Sequence, residues 1–94
     1  MLGYQSPQFL QALGADIIYD DGNGKMHICT LDASRIDRSP NALPVTQQPI
    51  WQIKRVTEAE DNGITTTTIE FPNGNRGFNF VVEDYESYTY KFGV

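Results

Sequence analysis

Ile50-Trp51-Gln52-Ile53-Lys54-Arg55-Val56, Ile64-Thr65-Thr66-Thr67-Thr68-Ile69-Glu70-Phe71, Phe78-Asn79-Phe80-Val81-Val82 and Tyr88-Thr89-Tyr90-Lys91-Phe92 are the four runs that decide the fold. Each is short and rich in β-branched or aromatic residues. The first three are separated by turn chemistry, Glu58 to Gly63 and Pro72-Asn73-Gly74-Asn75-Arg76-Gly77. The pattern predicts a four-stranded β-meander over residues 50–94. Thr65 to Thr68 suit a pleated, half-solvated surface, with Ile69 and Phe71 turned one way and Glu70 the other. In the last run Tyr88, Tyr90 and Phe92 alternate with Thr89 and Lys91, which predicts an aromatic face opposite a polar one.

Upstream, Ala15 to Tyr19 and Met26 to Leu31 are two more β-prone runs, joined by Asp20-Asp21-Gly22-Asn23-Gly24-Lys25. Asp-Gly and Asn-Gly supply the positive φ angles of a hairpin turn, so residues 15–31 read as a β-hairpin. Before it, Ser6 can cap and Pro7 can open a helix that Gly14 ends. This predicts one short N-terminal helix within an arm of residues 1–14, with Phe9, Leu10 and Leu13 on one side. A stripe that short is unstable alone and must pack on its own sheet or on a neighbouring subunit.

Residues 32–49 carry Pro40 and Pro44 and only scattered apolar residues, Ala33, Ile36, Ala42, Leu43 and Val45. A loop of that length inside a compact domain is either functional or ordered by a partner. It reads equally as a contact arm and as a surface crossover between two parts of one sheet. The residues expected to make protein contacts are therefore Phe9, Leu10 and Leu13 in the arm, and Arg35, Ile36, Arg38, Leu43 and Val45 in the loop.

These segments fit one domain. At 94 residues the chain has no room for separate catalytic and binding domains. A hydrophobic fraction of 39% with 12% aromatics is that of a folded chain. A domain this small buries only about 60–65% of the surface its unfolded form exposes, so it gains from docking onto other chains. The fold class expected is all-β, a small antiparallel sandwich or partly open barrel with a C-terminal meander and one short N-terminal helix.

Seven Lys and Arg stand against twelve Asp and Glu, a net charge of −5, and the basic residues form no stripe. That argues against nucleic acid as a partner, because binding phosphates needs a basic patch. It argues equally against anionic membrane surfaces, and no apolar run approaches the length of a spanning helix. Met1 to Gln11 lacks the basic and apolar regions of an export signal. Cys29, the single cysteine, has no internal disulfide partner, which fits assembly in a reducing cytoplasm.

No constellation points to catalysis. His27 and Cys29 share a strand face but supply only two ligands, short of a zinc site, and no orienting group or oxyanion hole accompanies them as a nucleophilic dyad. Asp20-Asp21-Gly22-Asn23-Gly24 lacks the ligand spacing of a calcium loop, and a hairpin turn accounts for every residue of it. Glu83, Asp84 and Glu86 read as a solvated corner. Tyr85, Tyr88 and Tyr90 read as packing residues, since base stacking would lack a basic groove. No cofactor and no metal are expected.

The runs Pro49-Ile50-Trp51-Gln52-Ile53-Lys54-Arg55, Thr66-Thr67-Thr68-Ile69-Glu70-Phe71, Asn73-Gly74-Asn75-Arg76-Gly77-Phe78-Asn79-Phe80 and Glu83-Asp84-Tyr85-Glu86-Ser87-Tyr88-Thr89-Tyr90 together resemble the C-terminal module of small structural, virion-associated proteins of tailed bacteriophages. The resemblance covers residues 49–92 and departs from the pattern at Phe80-Val81-Val82, where a Trp commonly precedes the acidic group. It implies a non-enzymatic, multicopy virion protein, a capsid decoration or cement protein or a neck or tail component, assembled in the host cytoplasm. The partners it implies are other virion proteins (major capsid, neck or tail subunits) and copies of itself, as a homo-oligomer or bound to a lattice. The alternative expectation is a small acidic phage-encoded module that binds or inhibits a host protein.

Overall fold

The computed structural model describes residues 14–93. The short helix expected over Ser6 to Leu13, with Phe9, Leu10 and Leu13, lies outside the described residues. Five strands follow one another in space as in sequence: β1 (Ile17–Asp20), β2 (Lys25–Leu31), β3 (Trp51–Asp61), β4 (Ile64–Pro72) and β5 (Tyr90–Lys91). All pairings are antiparallel. The described residues thus form a single sheet. The layer laid over it consists of loops and three 3₁₀ turns, Ala33–Arg35, Val45–Gln47 and Val82–Asp84, in place of the second sheet of a sandwich or the closing strands of a barrel.

The β1–β2 turn forms as its sequence demands. The carboxylates of Asp20 and Asp21 accept hydrogen bonds from the backbone N–H groups of Gly22 and Asn23, each at 2.8 Å. Both oxygens are thereby engaged in closing the turn. Gly24 has φ +86°, and a Cβ there would lie 3.0 Å from the Glu58 carbonyl oxygen, so only glycine fits where β2 begins beside β3.

β3 is longer than its sequence pattern. The expected strand ended at Val56 and Glu58 to Gly63 read as a turn, yet the strand runs to Asp61 and the turn is the dipeptide Asn62-Gly63, with φ +52° and +77°. Two positive φ angles define the type I′ turn whose twist matches a hairpin. Glu58, Ala59, Glu60 and Asp61 pair with Thr67, Thr66, Thr65 and Ile64. They need no apolar alternation, because beyond Thr57 no β2 residue lies alongside and water reaches both faces.

Two other expected strands shrink. Phe78 to Val82 contributes one bridge, Phe80 exchanging backbone hydrogen bonds of 3.0 and 3.1 Å with Trp51, and then turns into a 3₁₀ turn. Tyr88 to Phe92 contributes only β5, and its expected aromatic face breaks up: Tyr90 is buried, while Phe92 is 68% exposed. The cause lies in the phenol hydroxyls. Tyr88 Oη accepts the Val81 N–H at 3.0 Å, and Tyr90 Oη donates to the Tyr85 carbonyl at 2.6 Å. These bonds hold residues 81–85 as a compact layer over the sheet.

The main core lies between that layer and one sheet face: Cys29, Ile50, Trp51, Ile53, Phe80, Val82 and Tyr90. The opposite face carries a smaller cluster of Met26, Ile28 and Val56, with Ala15 and Ile18 against it. The period-two alternation of β2 and β3 assigns these side chains to their faces.

Residues 32–49 form an ordered crossover from β2 to β3. Gln48, 5% exposed, is its centre. Its Oε1 accepts the Asp37 N–H at 2.8 Å, and its Nε2 donates to the carbonyls of Asp37 at 2.9 Å and Leu43 at 2.8 Å. Trp51 Nε1 donates to the Val45 carbonyl at 3.0 Å, which fastens the loop to the core.

Candidate functional site

The loop residues expected to make contacts fall into two groups. Ile36 and Val45 are half-buried and pack against the main core. Arg35 is exposed, and its guanidinium donates across the surface to the Phe78 carbonyl at 2.7 Å. Arg38 and Leu43 are exposed, Leu43 by 59%. Phe9, Leu10 and Leu13 lie outside the described residues. The loop therefore spends Ile36 and Val45 on the core, ties the exposed Arg35 to the Phe78 carbonyl, and presents Arg38 and Leu43 outward.

A more extensive surface is the ribbon formed by the ends of β3 and β4. Its hydrogen-bond phase follows from two bonds. The Glu58 N–H donates to the Gly24 carbonyl at 2.8 Å, so the even residues of β3 address β2 and the odd ones address β4. On β4 the residues opposite the odd positions are Ile64, Thr66, Thr68 and Glu70. Thr65, Thr67 and Ile69 then turn their N–H and C=O groups away from β3. Farther along the same edge the Asn73 N–H donates to the Thr89 carbonyl at 2.7 Å, in the same phase, where β5 occupies the edge. From Thr65 to Ile69 no described residue pairs with it.

This open edge is uncharged, free of proline and without a bulge, and Ile64 and Ile69 on it are 68% and 48% exposed. Sheets that must avoid edge pairing carry a lysine, a proline or a bulge there. β3 supplies the charge of the ribbon instead, through Glu60 and Asp61. The sequence shows the signal, a threonine run between two isoleucines after Asn62-Gly63, but propensity alone marks it as a strand surface and not as an edge.

A second feature is a shallow groove of about 560 Å³ lined by Ile18, Tyr19, Asp20, Asp21, Lys25, His27, Tyr85 and Glu86. Tyr85 stacks on Tyr19 with ring centroids 4.0 Å apart. His27 meets Tyr85 and Tyr90 edge-on at 4.8 and 5.2 Å. Burial, and then the nearby charges of Arg55 and Lys25, hold the His27 pKa below its ordinary value. Arg55 lies 4.8 Å over the Tyr90 ring and pairs with Glu70 at 2.8 Å. Cys29, on the same face, is fully buried, and burial pushes its thiol up to about 12. A thiol held protonated is a packing group and not a nucleophile. Among the described residues no group of three or more His, Cys, Asp or Glu is placed to hold a metal ion. No described helix is long and apolar enough to cross a membrane.

No protein family matches the chain, and no characterised protein or solved structure is significantly similar to it.

Proposed function

We propose that this chain is a non-enzymatic structural protein of a bacteriophage virion, present in many copies as a capsid decoration or cement protein or as a neck or tail component. It acts through protein–protein contacts with major capsid, neck or tail subunits and with copies of itself, and is assembled in the host cytoplasm. The supporting observation is the ribbon of β3 and β4, which offers an uncharged open edge from Thr65 to Ile69 beside a small core. An edge of that kind gains main-chain partners by joining another sheet. The resemblance of residues 49–92 to phage structural modules points the same way. On this reading the work of the chain is adhesion, and it needs no cofactor.

Quantitative mass spectrometry of purified particles tests the proposal. The expected result is a copy number that is a multiple of a particle symmetry. Absence from particles, or a single copy, overturns it.

The acidic residues Glu60 and Asp61 at the exposed end of β3 favour a second reading, an acidic module that meets a basic site on a host protein. Stoichiometric capture of one host protein, lost in the Glu60→Lys, Asp61→Lys double variant, is what that reading predicts.

A further inference from the structure

We infer that the open edge of β4 pairs with the β4 edge of a second copy, antiparallel about a two-fold axis through Thr67, so that two sheets continue into one. This deepens the multicopy reading above and names its contact.

The occupant follows from the edge itself. On the unpaired part of the edge Thr65, Thr67 and Ile69 direct main-chain groups outward, so two edges can pair only in registers that set these residues against one another. With Thr67 on the axis, Thr65 faces Ile69 of the other copy and Thr67 faces its counterpart. Every outward N–H and C=O of both strands is then used. Moving the axis to Thr66 leaves Ile69 unpaired. Moving it to Thr68 drives Thr65 against Phe71, where β5 already holds the edge through Lys91. The chain's own fold thereby selects one register.

The side chains agree with that register. On one face Ile69 of each copy packs on Thr65 of the other, covering an isoleucine now 48% exposed. On the other face Thr66 meets Thr68, a pairing of β-branched residues favourable across strands. Ile64 packs along the stem of Glu70, whose carboxylate stays with Arg55. No like charges are brought opposite one another along the edge, although each chain carries a net charge of −5. The acidic β3 strands lie on the far sides of the joined β4 strands, about 14 Å apart, beyond a Debye length in physiological salt. A two-fold contact of this kind is isologous and closes on itself, giving a dimer. The contact is narrower than a standard stable interface, so the free protein dimerises at high concentration and repetition in an assembly reinforces it.

Sedimentation across a concentration series, combined with cysteine cross-linking of the full chain, tests the inference. The buried native Cys29 does not interfere. Thr67→Cys is expected to give a disulfide-linked dimer on mild oxidation. Thr65→Cys and Ile69→Cys should each form no disulfide alone and cross-link when mixed. Thr67→Pro removes an outward N–H without touching the β3 pairing, and Thr67→Lys sets two charges on the axis; either should abolish the dimer while circular dichroism stays that of the parent. Amide exchange at Thr65, Thr67 and Ile69 should slow at least several-fold on dimerisation, with Thr66 and Thr68 little changed. A protein that is monomeric at every concentration overturns the inference, as does a dimer that survives both Thr67 variants. So does cross-linking that ignores the register. Dimerisation without incorporation into particles would leave the edge contact standing and remove the virion reading; incorporation by a protein whose β4 edges never pair would do the reverse.

Discussion

Gln48 and Asp37 bond each other in both directions: the Gln48 amide accepts the Asp37 N–H at 2.8 Å and donates to the Asp37 carbonyl at 2.9 Å. A side-chain amide thus does for the crossover what a neighbouring strand does for a ladder, satisfying both main-chain groups of one residue. The remaining Nε2 hydrogen goes to Leu43, so the buried amide has every donor engaged.

Replacing Gln48 should therefore loosen the loop as a unit. Gln48→Ala is expected to lower unfolding free energy by about 2–3 kcal/mol, because buried groups lose partners that cost roughly 1–3 kcal/mol each to leave unmade. Gln48→Glu should cost more, since a carboxylate would face the carbonyls of Asp37 and Leu43. Urea denaturation of the two variants checks the order, which a merely spatial role for the side chain would reverse.

Gly24→Ala tests the seam between the hairpin and β3. With φ at +86° and the Glu58 carbonyl 3.0 Å from the new Cβ, backbone strain of about 1–3 kcal/mol is expected. The amide of Glu58 should lose protection in the same variant, because its acceptor is the Gly24 carbonyl.

Stability should respond to pH through His27. Its pKa is lowered in the fold from the ordinary 6.5, so below that value the unfolded chain binds the proton more readily than the folded one. The stability contribution is complete above about pH 6.5 and is lost as pH falls toward the folded pKa. The melting temperature should decline in that window, and His27→Gln should flatten the decline. Asp21 and Asp37, whose carboxyls are held below the ordinary 3.8 chiefly by backbone hydrogen bonds from Asn23 and Ser39, act only at lower pH and leave the two effects separable.

Cys29 should be inert in the native protein. Fully buried, with its thiol pushed up to about 12, it has almost no thiolate at neutral pH. Maleimide should label it only through transient unfolding. Rapid native labelling would mean that the core beside Ile53 opens far more often than this packing allows.

The hairpin of β1 and β2 was legible because Asp-Gly and Asn-Gly encode their own backbone angles. The β3–β4 pair was legible in its apolar half only. Glu58, Glu60 and Asp61 carry turn chemistry in a sequence, and they form a strand because threonines across the ribbon pair with them. The tyrosine alternation near the C-terminus matched a long strand, whereas the hydroxyls of Tyr88 and Tyr90 bind loop backbone. Ile36 and Val45 read as scattered apolar residues of a contact arm or surface crossover. They sit on the core because Gln48 gathers the loop, and a single buried amide leaves no periodic trace. The open edge of β4 depended on knowing that β5 is two residues long.

The crossover also has a kinetic meaning. Two hairpins, each closed by a tight turn, form from neighbouring residues in microseconds, but β2 finds β3 only when the intervening chain loops back. Closing that loop adds an entropy cost that grows only slowly with its length, and Gln48 latches it afterwards. Stopped-flow experiments should accordingly find that Gln48→Ala speeds unfolding more than it slows folding. The latch then determines how long a finished molecule survives, while the turns determine how soon it is ready.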